Sequence, residues 1–148
     1  MDKIMSIAKK NKISVVEDAA QSVGSKYKNK MSGSYGDFGC FSFHETKNLH
    51  AGLSGALSIN NSNFIDRAVH VWERGTNRQQ VLKGIKDKYS WVEVGGSFYP
   101  TELQAAFLLA QLESFEDNIK NGIGFSFSNL KIPFTPSRHR SDRVKFPA

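Results

Sequence analysis

Phe41-Ser42-Phe43-His44-Glu45-Thr46-Lys47-Asn48 closes an apolar run that begins at Phe38 and precedes the small-residue turn Ala51-Gly52-Leu53-Ser54-Gly55. Aromatic and small apolar side chains followed by turn formers read as a strand that feeds a loop. Lys47 therefore stands where a strand gives way to a loop. Schiff-base chemistry needs an amine that is fixed, partly desolvated and able to lose its proton. Most lysines are solvated surface charges, so Lys47 alone decides nothing and its neighbours must carry the reading.

Upstream, Ile4, Met5 and Ala8 fall at helical spacing among lysines, which predicts a short amphipathic helix over residues 2–11. Ile13-Ser14-Val15-Val16 is a β-branched run that fits a buried strand, with Asp18 just past its end. Ligand-binding groups in open α/β sheets gather beyond the carboxyl ends of strands. A helix cap or turn carboxylate is the other reading of Asp18. Ala19, Ala20, Gln21, Ser22 and Gly24 leave space near the backbone. Tyr27-Lys28-Asn29-Lys30 reads as a hairpin end and Gly33-Ser34-Tyr35-Gly36-Asp37 as a turn. These glycines match neither the Walker spacing nor G-x-G-x-x-G. Cys40 reads as a small core residue rather than a nucleophile.

Downstream, Ala56-Leu57-Ser58-Ile59 predicts another strand, and Ser62 is placed to cap a helix with Phe64, Ile65, Ala68, Val69 and Trp72 on one face. Glu73-Arg74-Gly75-Thr76-Asn77-Arg78 ends that helix; Arg74 and Arg78 suit either a phosphate or a solvated connector. Residues 86–96 read as an irregular loop. Thr101 and Gln104 form a capping box for a helix whose apolar face runs Leu103, Ala106, Phe107, Ala110 and on to Phe115. Past residue 121 the periodicity fails, and three of the four prolines follow. The chain thus divides into residues 1–121 and a divergent basic tail, 122–148, expected to be poorly ordered.

The net charge of +6 in 148 residues is concentrated in that tail, where Lys131, Arg138, Arg140, Arg143 and Lys145 face one acid, Asp142. No nucleic-acid motif accompanies the charge, so no nucleic-acid partner is expected. No apolar run approaches the roughly 20 residues that span a bilayer, and no membrane partner is expected. The single Cys40 fits a reducing compartment, and the first residues lack a signal-peptide layout, so a cytoplasmic location is expected. No His/Cys/Asp/Glu cluster has metal-ligand spacing.

Asp18, Gln21, Ser42 and Lys47 together supply a carboxylate, an amide, a hydroxyl and an amine, the set that pyridoxal 5'-phosphate requires. Glu17-Asp18-Ala19-Ala20-Gln21, Gly36-Asp37 and Phe41-Ser42-Phe43-His44-x-Thr46-Lys47-Asn48 resemble the DegT-type nucleotide-sugar aminotransferases, which are fold-type I pyridoxal-phosphate enzymes. His44–Asn48, Arg74–Arg78, Asp87-Lys88-Tyr89-x-Trp91, Leu103–Ala106 and Ala110–Glu113 are similar to the dTDP-4-amino-4,6-dideoxygalactose transaminase branch. The resemblance covers about residues 1–120.

It implies an α/β fold, an incomplete large domain with a mostly parallel sheet flanked by helices. It implies that Lys47 forms the Schiff base and shuttles a proton, and that Asp18 pairs with the ring nitrogen. Gln21 would lie near the phenolic oxygen, Ala20 against the ring and Ser42 at the cofactor phosphate. Glutamate would donate the amine to a keto sugar nucleotide of the dTDP-4-dehydro-6-deoxyglucose type, in a homodimer. Three departures stand out. Leu53-Ser54-Gly55 is shorter than the family's acidic glycine turn, Tyr99 stands near the position of a family asparagine, and the relatives are more than twice as long. A truncated, non-catalytic cofactor-binding remnant is the alternative expectation.

Overall fold

A computed structural model of the protein describes residues 1–120. The basic tail expected over 122–148 lies outside the described residues. Helix α1 (Asp2–Asn11) forms where the spacing predicts it, with Asp2 in its first turn and Lys9 and Lys10 in its last, matching the helix dipole. It ends as Lys12 takes a left-handed φ of 53° and the Ile13 N–H bonds the Ala8 carbonyl at 2.9 Å. That cap claims Ile13, which is 60% exposed, so the first strand starts later than its β-branched run suggests.

Strand β1 (Val16–Asp18) pairs in parallel with β4 (Phe38–Ser42), in the register Val16–Phe38, Glu17–Gly39, Asp18–Cys40. Strand β5 (Gly55–Ile59) pairs antiparallel with β4, placing β4 at the centre of a three-stranded sheet. The sheet is therefore mixed, with one parallel and one antiparallel pairing among the described residues. The crossover from β1 to β4 contains a small hairpin, β2 (Lys26–Tyr27) and β3 (Lys30–Met31).

The crossover ends in the turn 33–37, which lies on one face of the sheet and is pinned there by side chains. The Glu17 carboxylate accepts from the backbone N–H groups of Gly33 at 3.0 Å, Gly36 at 2.7 Å and Tyr35. Ser58 Oγ and Asn60 Nδ2 donate to the Gly33 carbonyl at 2.6 and 3.0 Å. Asp37 accepts from the Val15 N–H at 2.8 Å and from Asn61 Nδ2 at 2.7 Å, fastening the strand entrances together. A Cβ on Gly39 would fall inside the Gly33 backbone, so only glycine lets the turn lie this close to β4.

After β5, Asn61 rather than Ser62 supplies the cap, accepting from the Asn63 N–H at 3.1 Å. A single 3-10 turn leads into α2 (Ile65–Trp72). A short α3 (Arg78–Leu82), which the polar sequence does not announce, follows the 73–78 loop. Helix α4 (Glu102–Glu113) opens with the expected Thr101–Gln104 capping box, and α5 (Phe115–Lys120) continues it.

The apolar face expected on α4 is covered only in part: Phe107 and Phe115 are half-buried, whereas Leu103 is 83% exposed and Ala106 and Ala110 are exposed too. Gln104 and Gln111 face inward beside Phe107. Among the described residues no helix is long and apolar enough to cross a membrane.

Candidate functional site

Strand alternation decides which residues can meet. Asp18 and Cys40 are paired in register, and Ser42 lies two residues further along β4, so all three share one face of the sheet. Glu17 and Gly39 take the opposite face, under the 33–37 turn. Ser42 is thus about 7 Å beyond Cys40 along the strand, toward the same carboxyl end as Asp18. Adjacent parallel strands bring a carboxylate and a hydroxyl to one edge from residues far apart in the chain.

Past Asp18 the chain turns at once. The Ala19 N–H donates to the Cys40 carbonyl at 2.9 Å, and the Ser22 N–H to the Ala19 carbonyl at 2.9 Å. Asp18 Oδ1 accepts from the Ala20 N–H at 3.1 Å, an Asx turn that orients the carboxylate and places Ala20 and Gln21 beside it. Asp18 and Gln21 are exposed and Ala20 is half-buried.

Past Ser42 the chain leaves the sheet and returns at Gly55. The excursion is closed at its base, the Phe43 N–H donating to the Ser54 carbonyl at 2.8 Å and the Ala51 N–H to the Phe43 carbonyl at 2.9 Å. Within it, Ser42 Oγ accepts from the His44 N–H at 3.3 Å. The Lys47 N–H donates to the His44 carbonyl at 2.9 Å, and His44 Nδ1 meets the Thr46 hydroxyl at 3.0 Å. Lys47 is half-buried in this turn. Its amine makes no ion pair among the described residues. Leu49, His50 and Ala51 then pass into the interior.

A second constellation lies behind the loop. Glu73 is fully buried and accepts from Tyr99 Oη, from Gln79 Nε2 at 2.7 Å and from Arg78 at 3.3 Å. Burial alone raises its pKa, but the hydrogen bonds from Tyr99, Gln79 and Arg78 outweigh it and hold the carboxyl below the usual glutamate range. The same burial, with the bond to Glu73, raises the Tyr99 phenol. Of the two arginines open to a phosphate reading, Arg78 is thus engaged with Glu73; Arg74 is exposed, at a left-handed φ of 61°. Tyr99 also stacks on Trp72 at 3.9 Å, which ties α2 to the start of α4.

A cleft of about 1250 Å³ lies between the sheet and α2, lined by Phe38, Cys40, Leu57, Phe64, Trp72 and Tyr99 among others. Cys40 is half-buried on its wall rather than in a core. None of Asp18, Ala20, Gln21, Ser42 and Lys47 lines this cleft; they stand at the open end of the sheet. Sequence reading missed Glu17, His44, Gln111 and Glu73 as organising residues, and saw Gln104 only as a helix cap. For the two glutamines a signal existed: they recur seven apart on a helix, at one face.

A model of the DegT/DnrJ/EryC1/StrS aminotransferase family matches residues 1–123. GDP-perosamine synthase of Escherichia coli O157:H7 is 34% identical over 119 residues, 80% of this chain and 31% of that protein. UDP-4-amino-4,6-dideoxy-N-acetyl-beta-L-altrosamine transaminase of Campylobacter jejuni is 31% identical over 120 residues, 81% of this chain and 31% of that protein. A DegT DnrJ EryC1 StrS aminotransferase from Brucella abortus superposes with a TM-score of 0.67 at 34% identity, covering 78% of this chain and 29% of that one. The chain spans about 30% of the length of the relatives it matches.

Proposed function

Because this chain belongs to the DegT/DnrJ/EryC1/StrS aminotransferase family, we propose that its open sheet end binds pyridoxal 5'-phosphate and serves amino transfer to a nucleotide-linked keto sugar. The observation that carries this reading is the placement of Asp18 and Ser42 on one face and at one end of adjacent parallel strands, with the Lys47 turn pinned just beyond.

The donor set fits the cofactor. Asp18 uses one carboxylate oxygen on the Ala20 N–H and keeps the other for a cationic ring nitrogen. Ala20 and Gln21 stand beside it, the first small enough to lie against a ring, the second an amide suited to a phenolic oxygen. Ser42 offers its hydroxyl to a phosphate, and Lys47 presents an amine with no competing carboxylate in ion-pair reach among the described residues. When bound, the cofactor supplies an electron sink that stabilises negative charge on the amine-bearing carbon. Asp18 would keep the ring nitrogen protonated, and Lys47 Nζ would carry the proton to and from that carbon.

For the substrate we favour glutamate as donor and a dTDP-4-dehydro-6-deoxyglucose type of acceptor. The support is the likeness of His44–Asn48, Arg74–Arg78 and Asp87–Trp91 to the corresponding transaminase branch. The relatives' names carry GDP- and UDP-linked sugars, so the nucleotide is the first variable to assay. A homodimer is the assembly the same likeness supports. The exposure of Asp18 and Gln21 favours a second reading, binding without turnover.

Borohydride reduction of the protein mixed with pyridoxal 5'-phosphate, followed by peptide mass mapping, tests the first step. The adduct is expected on Lys47 well ahead of the other lysines, and absent there in Lys47→Ala. Even labelling across exposed lysines would refute the site. Amino transfer from glutamate to a panel of keto sugar nucleotides separates turnover from binding alone.

A further inference from the structure

We propose that Gln104 and Gln111 of α4 are positioning residues that clamp the far arm of the Lys47 loop, a proposal that rests on the reading of Lys47 as the cofactor-binding amine. The near arm is fixed by its own hydrogen bonds: Ser42 Oγ accepts from the His44 N–H, and His44 Nδ1 accepts from the Thr46 N–H and meets the Thr46 hydroxyl. The far arm, Leu49-His50-Ala51, is buried, and the carboxamide of Gln111 takes both peptide groups of His50. Oε1 accepts from the His50 N–H at 3.2 Å, and Nε2 donates to the His50 carbonyl at 2.6 Å. Nε2 also donates to the Phe107 carbonyl at 3.1 Å, fixing the side chain against its own helix. One amide thus makes a two-point bond to the backbone of the arm.

Gln111 is only 2% exposed, and a buried glutamine is retained where its groups are all matched. Two turns earlier, Gln104 Nε2 donates to the Leu53 carbonyl at 3.1 Å. A separation of seven residues puts both clamps on one helix face, about 10 Å apart. Between them the Phe107 ring meets the His50 ring at 5.2 Å. Helix α4 therefore grips the loop at two points with the Phe107 ring between them, while Leu103, Leu109 and Leu112 are exposed. Hydrogen-bond clamps contribute direction more than adhesion, and direction is what an amine at the end of four flexible bonds needs from its backbone.

The two glutamines allow a test that separates positioning from folding. In Gln104→Glu a carboxylate oxygen still accepts from the Thr101 N–H, as Gln104 Oε1 does at 2.9 Å, so the capping box survives. The donor to Leu53 is lost. In Gln111→Glu the acceptor for the His50 N–H remains, and the donor returns only when acid protonates the buried carboxyl. Both variants and wild type, as the full 148-residue chain, would be compared by three measurements. These are thermal melting, amide hydrogen exchange at His50 and Asn48, and the imine absorbance and borohydride-trapped yield at Lys47 with pyridoxal 5'-phosphate.

For Gln104→Glu the expectation is a cooperative melting curve lowered by only a few degrees, with Lys47 trapping in the folded protein down about tenfold. For Gln111→Glu the carboxylate repels the His50 and Phe107 carbonyls and displaces the arm, so exchange at His50 should quicken about tenfold at neutral pH and recover in acid, with the trapping deficit relative to wild type shrinking in parallel. Trapping at Lys47 equal to wild type in both variants, with Lys47→Ala abolishing it, would overturn the clamp and leave the cofactor site standing. Equal cofactor binding by wild type and Lys47→Ala would overturn the cofactor site, and the clamp's purpose with it.

Discussion

Replacing Glu17 by glutamine changes one side-chain oxygen to NH2 and nothing in shape, and we expect it to be among the costliest conservative substitutions in the chain. Glu17 Oε1 accepts from the N–H groups of Tyr35 and Gly36, and Oε2 from that of Gly33 at 3.0 Å. A carboxylate is acceptor on both sides, whereas an amide is acceptor on one. In either orientation Glu17→Gln sets its NH2 against a backbone N–H. The better one keeps the oxygen on Tyr35 and Gly36 and turns the NH2 toward Gly33. One charge-assisted hydrogen bond is then lost, about 1.5–3 kcal/mol, and the other two fall to neutral strength, about 0.5 kcal/mol each. The total is about 3 kcal/mol. At a urea dependence of about 1.5 kcal/mol per molar, the unfolding midpoint should drop by about 2 M. Trp72 and Trp91 fluorescence reports the transition, and the amides of Gly33, Tyr35 and Gly36 should lose exchange protection together. Glu113→Gln, on the exposed end of α4, serves as the control and should move the midpoint little. If Glu17→Gln matches that control and the three amides exchange as slowly as in wild type, the clamp of the turn by Glu17 is wrong.

Three further outcomes follow from the same geometry. Gly39→Ala drives a Cβ into the Gly33 backbone, so thermal unfolding should show a loss of about 1–3 kcal/mol, whereas Gly84→Ala, whose Cβ meets open space, should cost only the strain of its φ of 69°. Glu73→Ala leaves the Tyr99 hydroxyl and Gln79 amide without their acceptor at a fully buried site, and chemical denaturation should register about 3–5 kcal/mol. Asp37 is held below the ordinary aspartate range by the bonds from Asn61 and the Val15 N–H. Its contribution is complete above the unfolded-state value near about 3.9 and disappears as pH falls through the lower folded value. Urea midpoints measured down through that acid range should therefore fall less steeply in Asp37→Asn than in wild type.

What was legible in the sequence is the backbone frame and the chemistry at its edge. Alternation and turn residues locate β4, β5, the hairpin and the helix opened by Thr101, because each is written locally within a few residues. The strand ends at Asp18 and Ser42 are legible for the same reason. What was not legible is fixed by side chains reaching backbone groups across long intervals. Glu17 finds the 33–36 turn, Asn61 finds Asp37, and Gln111 finds His50. No local period records such a bond. The exposed part of the expected α4 face, Leu103, Ala106 and Ala110, has this origin: hydrophobicity selects those residues, while Gln104 and Gln111 match backbone groups elsewhere and turn the helix toward Phe107. The late start of β1 is the opposite case, a local cap at Ile13 overriding a β-branched run.

The period-two alternation of β1 also separates support from chemistry within two consecutive residues. Glu17 faces the 33–37 turn, where its charge is spent on backbone amides; Asp18 faces the other way, where one oxygen stays open. Strand β4 repeats the division, with Gly39 yielding space to the turn and Ser42 reaching the open end on the face of Asp18. A register slip of one residue would exchange the two faces, aiming Glu17 at the site and pressing Asp18 against the turn. The Glu17 clamp and the glycine at position 39 both act against that slip, since neither tolerates the other face. The placement of Asp18 is thus set less by its own bonds than by the residue beside it. At the proposed cofactor site, Glu17→Gln should therefore weaken pyridoxal 5'-phosphate binding, read by titration of its absorbance, without touching the cofactor.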